Sequence, residues 1–246
     1  MQILSNLAFA ASACALAVRT PNDTCPPVPG ENFVFGAPVE MIPGDIPIGC
    51  SDYEIIVARG TSEINFADGG KFGVVIGDPI VSNVTELLDG VQGYPVQYPA
   101  DDNFVQNLET GANDIVARIT SQSEMCPEQT FALVGYSQGA SIVHKAAAYL
   151  PENLQWKVKS ISTFGDPSQG GNVGGIWPGD WPYGLQFEVR TVCAEGDPIC
   201  DVTATCFYNH LIYIRPLYIE PAVKYIIDNF VDAPLQHPPW PTTMTA

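Results

Sequence analysis

Short apolar runs alternate with longer amphipathic stretches along most of this 246-residue chain. Runs rich in β-branched and aromatic residues predict strands over residues 53–58, 131–134, 158–164 and 187–192. Residues 94–98 are a fifth strand candidate. Because proline cannot donate a hydrogen bond to a neighbouring strand, Pro95 favours a position at the edge of the sheet.

Helical periodicity occupies the segments between these runs. A helix is predicted to begin near Pro79, a long one to cover residues 102–123, and a small-residue helix to cover 140–150. In the long helix one apolar face carries Phe104, Leu108, Ile115 and Ile119. A last helix is predicted over 221–230, since proline is tolerated in a first turn. Strands alternating with helices indicate a three-layer α/β fold with a parallel sheet covered on both faces.

The two ends of the chain differ in composition from its middle. Residues 1–17 carry no charged side chain and finish in Ala-Leu-Ala, so we expect a secretory signal peptide cut after Ala17. This run is shorter than the ~20 residues of a membrane span, and stable membrane insertion is not expected. Residues 18–232 are predicted to form one domain, beginning with a Pro-rich arm, and 233–246 a Pro-rich flexible tail.

The charge balance restricts the class of partner. Asp and Glu number 27 against 10 Lys and Arg, which gives a formal net charge of −17. Such a field repels nucleic-acid phosphates and anionic membrane surfaces, whereas neutral esters remain compatible. The sequence shows no sign of obligate oligomerisation, so a monomer is expected.

Cysteine usage supports export. Of seven Cys, Cys14 would leave with the signal peptide, and an even set remains: Cys25, Cys50, Cys126, Cys193, Cys200 and Cys206. An even count in an exported chain predicts disulfides, although the count leaves their pairing open. Spacings typical of zinc sites are missing from the sequence, and neither metal nor cofactor is expected. Asn22 and Asn83 begin glycosylation sequons for a eukaryotic secretory route.

A candidate nucleophile stands between a predicted strand and the small-residue helix. Residues 135–139 read Gly-Tyr-Ser-Gln-Gly, the spacing of a tight strand-to-helix turn that projects a serine hydroxyl from the sheet. The glycines leave room where a Cβ would collide, and the helix N-terminus favours developing negative charge. Ser137 is therefore the predicted nucleophile. The alternative is a Gly-rich turn whose serine only caps the helix.

A serine nucleophile needs a base, and the chain contains three histidines. His144 lies on the nucleophile's own helix and is expected to be a surface or packing residue. His237 lies in the Pro-rich tail. His210 follows the last predicted strand in a loop before the final helix, which is the best position for a catalytic base.

The orienting acid is drawn from the aspartates between Ser137 and His210, namely Asp166, Asp180, Asp197 and Asp201. Asp197 is favoured because it follows a strand and is bracketed by Cys193 and Cys200, whose disulfide would fix the direction of the carboxylate. Asp166 is the rival, in a second Gly-Asp-Pro that follows the preceding strand. Both tripeptides are also good turn sequences.

Four stretches together resemble the cutinase family of serine esterases, which also contains acetylxylan esterases and bacterial relatives. They are Ala-Arg-Gly-Thr-Ser-Glu at 58–63, Tyr-Pro-Ala at 98–100, the serine motif, and Cys-Ala-Glu-Gly-Asp-Pro-Ile-Cys at 193–200 with His210 downstream. The resemblance covers about residues 48–230. It implies a small α/β-hydrolase with about five parallel strands and no lid domain.

The resemblance also implies roles for individual residues. It makes Ser137 the nucleophile, Asp197 the acid and His210 the base, and it places the oxyanion hole at Thr61 and Gln138. Because Ser62 follows Thr61, two hydroxyls are candidates in that loop. The resemblance pairs Cys50 with Cys126 and Cys193 with Cys200. Cys25 is then left to pair with Cys206.

Aromatic residues near the predicted site are candidates for substrate binding, namely Phe207, Tyr208, Trp177 and Trp181. They would form an apolar lip for acyl chains, stack on sugar rings, or only pack a long loop. We favour a secreted esterase that cleaves cutin or other lipophilic esters through an acyl-enzyme. The alternatives are an acetylxylan esterase acting on plant cell-wall xylan, and a non-catalytic secreted binding or elicitor protein. Intact candidates for every triad role argue against the last.

Overall fold

The computed structural model describes residues 25–27, 36–63, 70–170 and 180–231. In this part of the chain five strands form one sheet in the order β2-β1-β3-β4-β5, and every neighbouring pair is parallel. The strands are β1 (Tyr53–Ala58), β2 (Val91–Pro95), β3 (Thr130–Tyr136), β4 (Val158–Phe164) and β5 (Val189–Val192). The predicted parallel sheet is confirmed, and β2 lies at an edge as Pro95 indicated.

Helices cover both faces of the sheet, which confirms the three-layer architecture. The α-helices are α1 (Gly77–Leu87), α2 (Phe104–Met125), α3 (Gln138–Tyr149), α4 (Glu152–Gln155) and α5 (Pro216–Val231), and two 3₁₀ helices span Pro43–Asp45 and Phe207–Ile214. Alternate residues of β1 enter opposite cores, Ile56 with α2 and α3, and Ile55 with α1 and α5. Two hydrophobic cores therefore hold the sheet rigid beneath its carboxyl edge.

Three element predictions require correction. The last helix begins at Pro216 rather than Pro221, and Pro221 lies inside it at an exposed position. Proline suits the first position of a helix, as at Pro216, whereas Pro221 cannot donate an intrahelical hydrogen bond. The buried periodic face of Ile219, Ala222, Val223 and Ile226 carries the helix past it. His210 lies on a 3₁₀ helix, not in a loop. The strand predicted over 94–98 runs from Val91 to Pro95 instead.

Three disulfides tie the chain together. They join Cys25 to Cys206, Cys50 to Cys126 and Cys193 to Cys200, the same pairs that were expected. The first bond attaches the N-terminal arm directly before the 3₁₀ helix that carries His210. The expected signal peptide, residues 1–17, and the tail, 233–246, lie outside the described residues. None of the described helices is both long and apolar enough to cross a bilayer.

Candidate active site

Ser137 sits on the sharp turn between β3 and α3. Its backbone has φ 55° and ψ −120°, and its N–H donates to the Phe164 carbonyl at 2.9 Å. The described non-glycine residues with positive φ are Ser62, Ala100 and Ser137, and the Ser62 N–H donates to the Ala100 carbonyl at 2.7 Å. Such conformations are strained for L-residues and concentrate at functional sites.

Two glycines make this turn possible because neighbouring backbone occupies the space of a side chain. A Cβ on Gly139 would lie 2.0 Å from the Ala58 carbonyl oxygen, and one on Gly135 would lie 2.6 Å from the Gly139 carbonyl oxygen. The helix therefore starts in direct contact with the end of β1. This is the steric reason for glycine on both sides of Ser137.

A buried histidine–carboxylate pair lies at the same edge of the sheet. His210 Nδ1 is 2.8 Å from Asp197 Oδ2 and 3.0 Å from Oδ1, and the two side chains are 3% and 0% exposed. A carboxylate only accepts, so Nδ1 carries the donated proton and Nε2 is the nitrogen left to act on a hydroxyl.

Two further donors hold the Asp197 carboxylate. The Ile199 N–H donates to Oδ1 at 2.8 Å, and the Tyr213 hydroxyl donates to Oδ2 at 2.6 Å. Burial alone would raise the pKa of Asp197, but the hydrogen bonds from His210, Tyr213 and Ile199, together with the nearby imidazole, outweigh burial and hold this pKa below its usual value. The group opposite His210 is therefore an anion throughout the neutral range.

The residue before the nucleophile positions the imidazole. The Tyr136 ring stacks on His210 with centroids 4.9 Å apart, and its hydroxyl donates to the His210 carbonyl at 2.6 Å. Because Tyr136 and Ser137 are adjacent in the chain, this contact ties the histidine to the nucleophile turn. This role of Tyr136 was not predicted from the sequence.

Gly165 supplies the space that the histidine–carboxylate pair occupies. A Cβ at this position would lie 2.6 Å from His210 Cε1 and 2.9 Å from Asp197 Oδ2, and its φ is +53°. In the sequence, Gly165 stands out only as part of the Gly-Asp-Pro turn that carries Asp166. The structure shows that its missing side chain lets the last β-loop and the 3₁₀ helix meet above β4.

We expect Gly165→Ala to lower kcat by roughly a hundredfold, because displacing the imidazole by about 1 Å has effects of that size. The strained backbone should also cost about 1–3 kcal/mol of unfolding free energy. Gly111→Ala is the control, since its Cβ would meet only the Ile142 side chain in the helical layer. Initial rates and thermal melts test this. An alanine variant with wild-type kcat would contradict it.

The loop after β1 lies beside the nucleophile turn, because Ala58 pairs with Gly135 in the sheet register. In this loop the Ser62 hydroxyl accepts from the Gly36 N–H at 2.8 Å and donates to the Ala37 carbonyl at 3.2 Å. Ser62 is thus engaged with the N-terminal arm. Of the two candidate hydroxyls, Thr61, which is partly exposed, is the one left for a substrate oxygen.

Gln138 contributes its backbone to this region and has its side chain tied elsewhere. Its Nε2 donates to the Asp101 carbonyl at 3.1 Å, and its Oε1 accepts from Asn107 Nδ2 at 3.4 Å. As the first residue of α3, Gln138 has a backbone N–H without an intrahelical acceptor. That N–H, beside the loop carrying Thr61, is suited to stabilising an oxyanion.

Glu63 anchors the loop from below. Its buried carboxylate accepts hydrogen bonds from the Gly60 N–H at 2.5 Å and the Val75 N–H at 2.8 Å. Gly60 directly precedes Thr61, and Val75 lies further along the chain, shortly before α1. Burial raises the pKa of Glu63 to about 7, and the two backbone hydrogen bonds oppose that rise. The sequence carries no signal for this anchor beyond the stretch at 58–63 that contains it.

The other histidine of the described region is occupied by the rival acid. His144 Nε2 is 2.9 Å from Asp166 Oδ2, and both side chains are buried. Trp181 stacks on His144 with centroids 3.7 Å apart, so one face of the indole is covered by packing. His144 is therefore a packing residue rather than a surface one. Asp180 is exposed, and Asp201 accepts hydrogen bonds from Thr203.

The remaining candidates are dispersed. The Phe207 ring lies 5.3 Å from the His210 ring, and Tyr208 beside it is half-buried. Asn83 is exposed on α1. Trp177, His237 and Asn22 lie outside the described residues. Among the residues that the structure describes, no group of three or more His, Cys, Asp or Glu could hold a metal ion.

Comparisons with known proteins identify the relatives of this chain. The family model for cutinase matches residues 49–230. The chain is 33% identical to the cutinase of Botryotinia fuckeliana over 168 residues, which cover 67% of this chain and 77% of that protein. It is 34% identical to carboxylesterase Culp1 of Mycobacterium tuberculosis over 158 residues, covering 61% and 69%.

Solved structures share the fold. The Trichoderma reesei cutinase in complex with a phosphonate inhibitor superposes with a TM-score of 0.59 at 25% identity, covering 74% of this chain and 77% of that one. A cutinase-like protein from Cryptococcus sp. gives 0.61 at 26% identity, covering 74% and 96%. The catalytic core domain of an acetylxylan esterase from Trichoderma reesei gives 0.60 at 22% identity, covering 74% and 100%, a likeness of fold alone.

Proposed function

The chain belongs to the cutinase family of carboxylic ester hydrolases, and from that membership we propose that it cleaves esters with Ser137 as nucleophile, His210 as base and Asp197 as orienting acid. The observation that carries the proposal is the buried His210–Asp197 pair, tied through Tyr136 to the strained turn that presents Ser137. A cap or a plain turn has no need of such a pair.

The proposed reaction proceeds through an acyl-enzyme. His210 Nε2 takes the Ser137 Oγ proton as Oγ bonds to the ester carbonyl carbon, and the carbonyl oxygen becomes an oxyanion. The backbone N–H groups of Thr61 and Gln138, with the Thr61 hydroxyl, stabilise this oxyanion. The carbonyl re-forms, the C–O bond to the alcohol breaks, and His210 returns its proton to the leaving oxygen. Water, deprotonated by His210, then adds to the acyl carbon, the bond from that carbon to Ser137 Oγ breaks, and Oγ takes the proton back from His210 as the acid leaves.

Exposed apolar side chains close in the chain to the site residues support lipophilic esters, such as cutin, as substrates. Phe104 and Val105 at the start of α2 are 37% and 69% exposed, next to the segment that holds Gln138. Val202 and Ile214, on either side of His210 in the chain, are 68% and 55% exposed. Exposed apolar groups close to catalytic residues favour an acyl chain over a hydrated sugar polymer.

The acyl-chain profile tests this substrate class. With p-nitrophenyl esters from acetyl to palmitoyl, we expect kcat/KM to rise from acetyl to medium chains, because each buried CH₂ contributes up to about 0.8 kcal/mol of binding. Phe104→Ser should reduce the preference for longer chains and leave acetyl turnover unchanged. Turnover confined to acetyl esters would contradict the proposal and favour an acetylxylan esterase.

Covalent labelling separates an enzyme from a binding protein that retains the fold. An organophosphonate should form one adduct, at Ser137, and abolish ester turnover. Protein that remains unlabelled at Ser137 under these conditions would be a non-catalytic binding or elicitor protein.

We further propose that the protein is secreted as a monomer, with a signal peptide at residues 1–17, a catalytic domain at 18–232 and a Pro-rich tail at 233–246. Three disulfides support an oxidising destination. Exposed Asn83, on the outer face of α1, is the glycosylation candidate that the described residues support. The mass of the mature protein from a eukaryotic host, before and after glycosidase treatment, tests the removal of residues 1–17 and the glycosylation of Asn83.

A further inference from the structure

Tyr213 meets the Asp197 carboxylate from the same helix that carries His210. The two residues lie three positions apart on the 3₁₀ helix Phe207–Ile214, and residues at that spacing eclipse one another because a 3₁₀ helix has about three residues per turn. Both side chains therefore reach the same carboxylate. Tyr213 is completely buried, and its hydroxyl oxygen lies 2.6 Å from Asp197 Oδ2.

The directions of the hydrogen bonds at Tyr213 are determined by its single proton. The Asp197 carboxylate only accepts, so the hydroxyl proton goes to Oδ2. The backbone N–H of Ala194 donates to the hydroxyl oxygen at 2.9 Å. Cys200 Sγ lies 3.6 Å from the same oxygen and, as a disulfide sulfur, has no proton to give. Tyr213 thus contacts both ends of the disulfide loop 193–200 and the carboxylate in its middle.

The carboxylate would be less constrained without this hydroxyl. Oδ1 is held by the Ile199 N–H, whereas Oδ2 accepts hydrogen bonds from His210 and Tyr213 alone among the described residues. With the tyrosine donor removed, the carboxylate can turn about the hydrogen bond that Oδ1 accepts from the Ile199 N–H. Without the Tyr213 hydroxyl as a donor, the negative charge of the carboxylate would also act more strongly on the imidazole of His210.

We propose that Tyr213 is a positioning residue that holds the Asp197 carboxylate in line with His210 and limits the negative charge that the imidazole experiences. The proposal rests on the function proposed above for Asp197 and His210. It assigns to the hydroxyl, rather than to the ring, an effect on the reaction.

The surroundings of Tyr213 keep its hydroxyl a donor. Burial raises its pKa far above the usual value, and the hydrogen bond to anionic Asp197 raises it further, so the proton stays in place through the working pH range. The other titratable groups around the ring are Tyr136, Tyr218 and His210, with ring centroids at 5.9, 5.2 and 6.3 Å. The pKa of Tyr136 is likewise raised by burial.

The experiment removes only the hydroxyl. For Tyr213→Phe we expect kcat to fall about tenfold with KM unchanged, since a hydrogen bond to a charged group is being lost. The acidic limb of the kcat/KM profile should move to higher pH, because a carboxylate with one donor fewer stabilises the imidazolium. Rates are normalised to the fraction of protein that the organophosphonate labels, so unfolded material does not enter the comparison.

A second variant keeps the proposal testable if the phenylalanine protein folds poorly. A fluorinated tyrosine introduced at position 213 by amber suppression has nearly the same shape and is a stronger donor. It should move the acidic limb in the opposite direction, to lower pH, with wild-type stability. The matched control is Tyr53→Phe, which removes a buried hydroxyl 3.0 Å from Ser160 Oγ at the start of β1. This variant should lose stability without moving the limb.

The outcomes separate the two proposals. If the wild-type protein turns over esters and Tyr213→Phe keeps both the acidic limb and the kcat of wild type, the positioning role is overturned. The esterase function stays intact in that case. Lower stability with an unmoved limb would make Tyr213 purely structural. A wild-type protein with neither turnover nor labelling at Ser137 would remove the proposed function and this role with it.

Discussion

The Ser137→Ala variant is expected to lose ester turnover by about five to six orders of magnitude, the scale seen when a serine nucleophile is removed from a triad. His210 and Asp197 remain, but no group is left to bond to the carbonyl carbon. Unfolding free energy should stay within about 0.5 kcal/mol of wild type, because alanine keeps the strained backbone and fills nearly the same space. Turnover at even a hundredth of the wild-type rate would refute Ser137 as nucleophile.

Ser137→Gly separates the chemistry from the strain. It should be equally inactive, yet more stable than the alanine variant by about 1 kcal/mol, since glycine adopts positive φ without the penalty that Ser137 carries at φ 55°. Denaturant unfolding of the three proteins measures the difference. A glycine variant less stable than alanine would show that the turn stores no strain.

The second large effect is expected for Asp197→Asn, with kcat lower by about 10³–10⁴-fold, the scale known for this change in other serine triads. The neutral amide cannot stabilise the imidazolium. If its NH₂ group faces Nδ1, two donors meet, and His210 is held in the wrong tautomer. KM should change little. Nearly wild-type kcat would show that another group orients His210.

Asp166→Asn is the matched control, because Asp166 is also a buried aspartate bound to a histidine. Burial would raise the pKa of Asp166, yet the hydrogen bond from His144 and the other contacts outweigh it and lower this pKa, as for Asp197. Each lowered pKa contributes stability above the unfolded value of about 3.9 that is lost as pH falls through the folded value. In both variants the unfolding free energy should therefore fall less steeply than in wild type as the pH drops below ~4. Only Asp197→Asn should lose kcat.

Much of this protein follows from local sequence. Short apolar runs and period-3.6 apolar patterns determined the strands and helices and hence the α/β class, because the faces that an element buries depend on the spacing of its apolar residues. The Gly-Tyr-Ser-Gln-Gly turn was equally readable. Both of its glycines are needed because backbone occupies the space of a side chain. The Ala58 carbonyl does so at Gly139, and the Gly139 carbonyl does so at Gly135.

What the sequence left open was decided by contacts between distant segments. Two Gly-Asp-Pro turns follow adjacent strands and are locally equivalent. In the tertiary structure Asp166 binds His144, whereas Asp197 meets His210 over the space left by Gly165. Turn propensity has no information on which histidine lies above which strand.

The supporting residues needed the same information. Tyr213, Tyr136 and Glu63 read as ordinary apolar or acidic positions, and their roles appear only when a 3₁₀ helix, a strand end and a loop are brought together. The sequence by itself determined the layers of the fold and the nucleophile turn, because these depend on neighbours within a few residues. The tertiary structure alone decided which aspartate meets His210, which hydroxyl supports that aspartate and which carboxylate holds the loop after β1, because those hydrogen bonds join residues far apart in the chain.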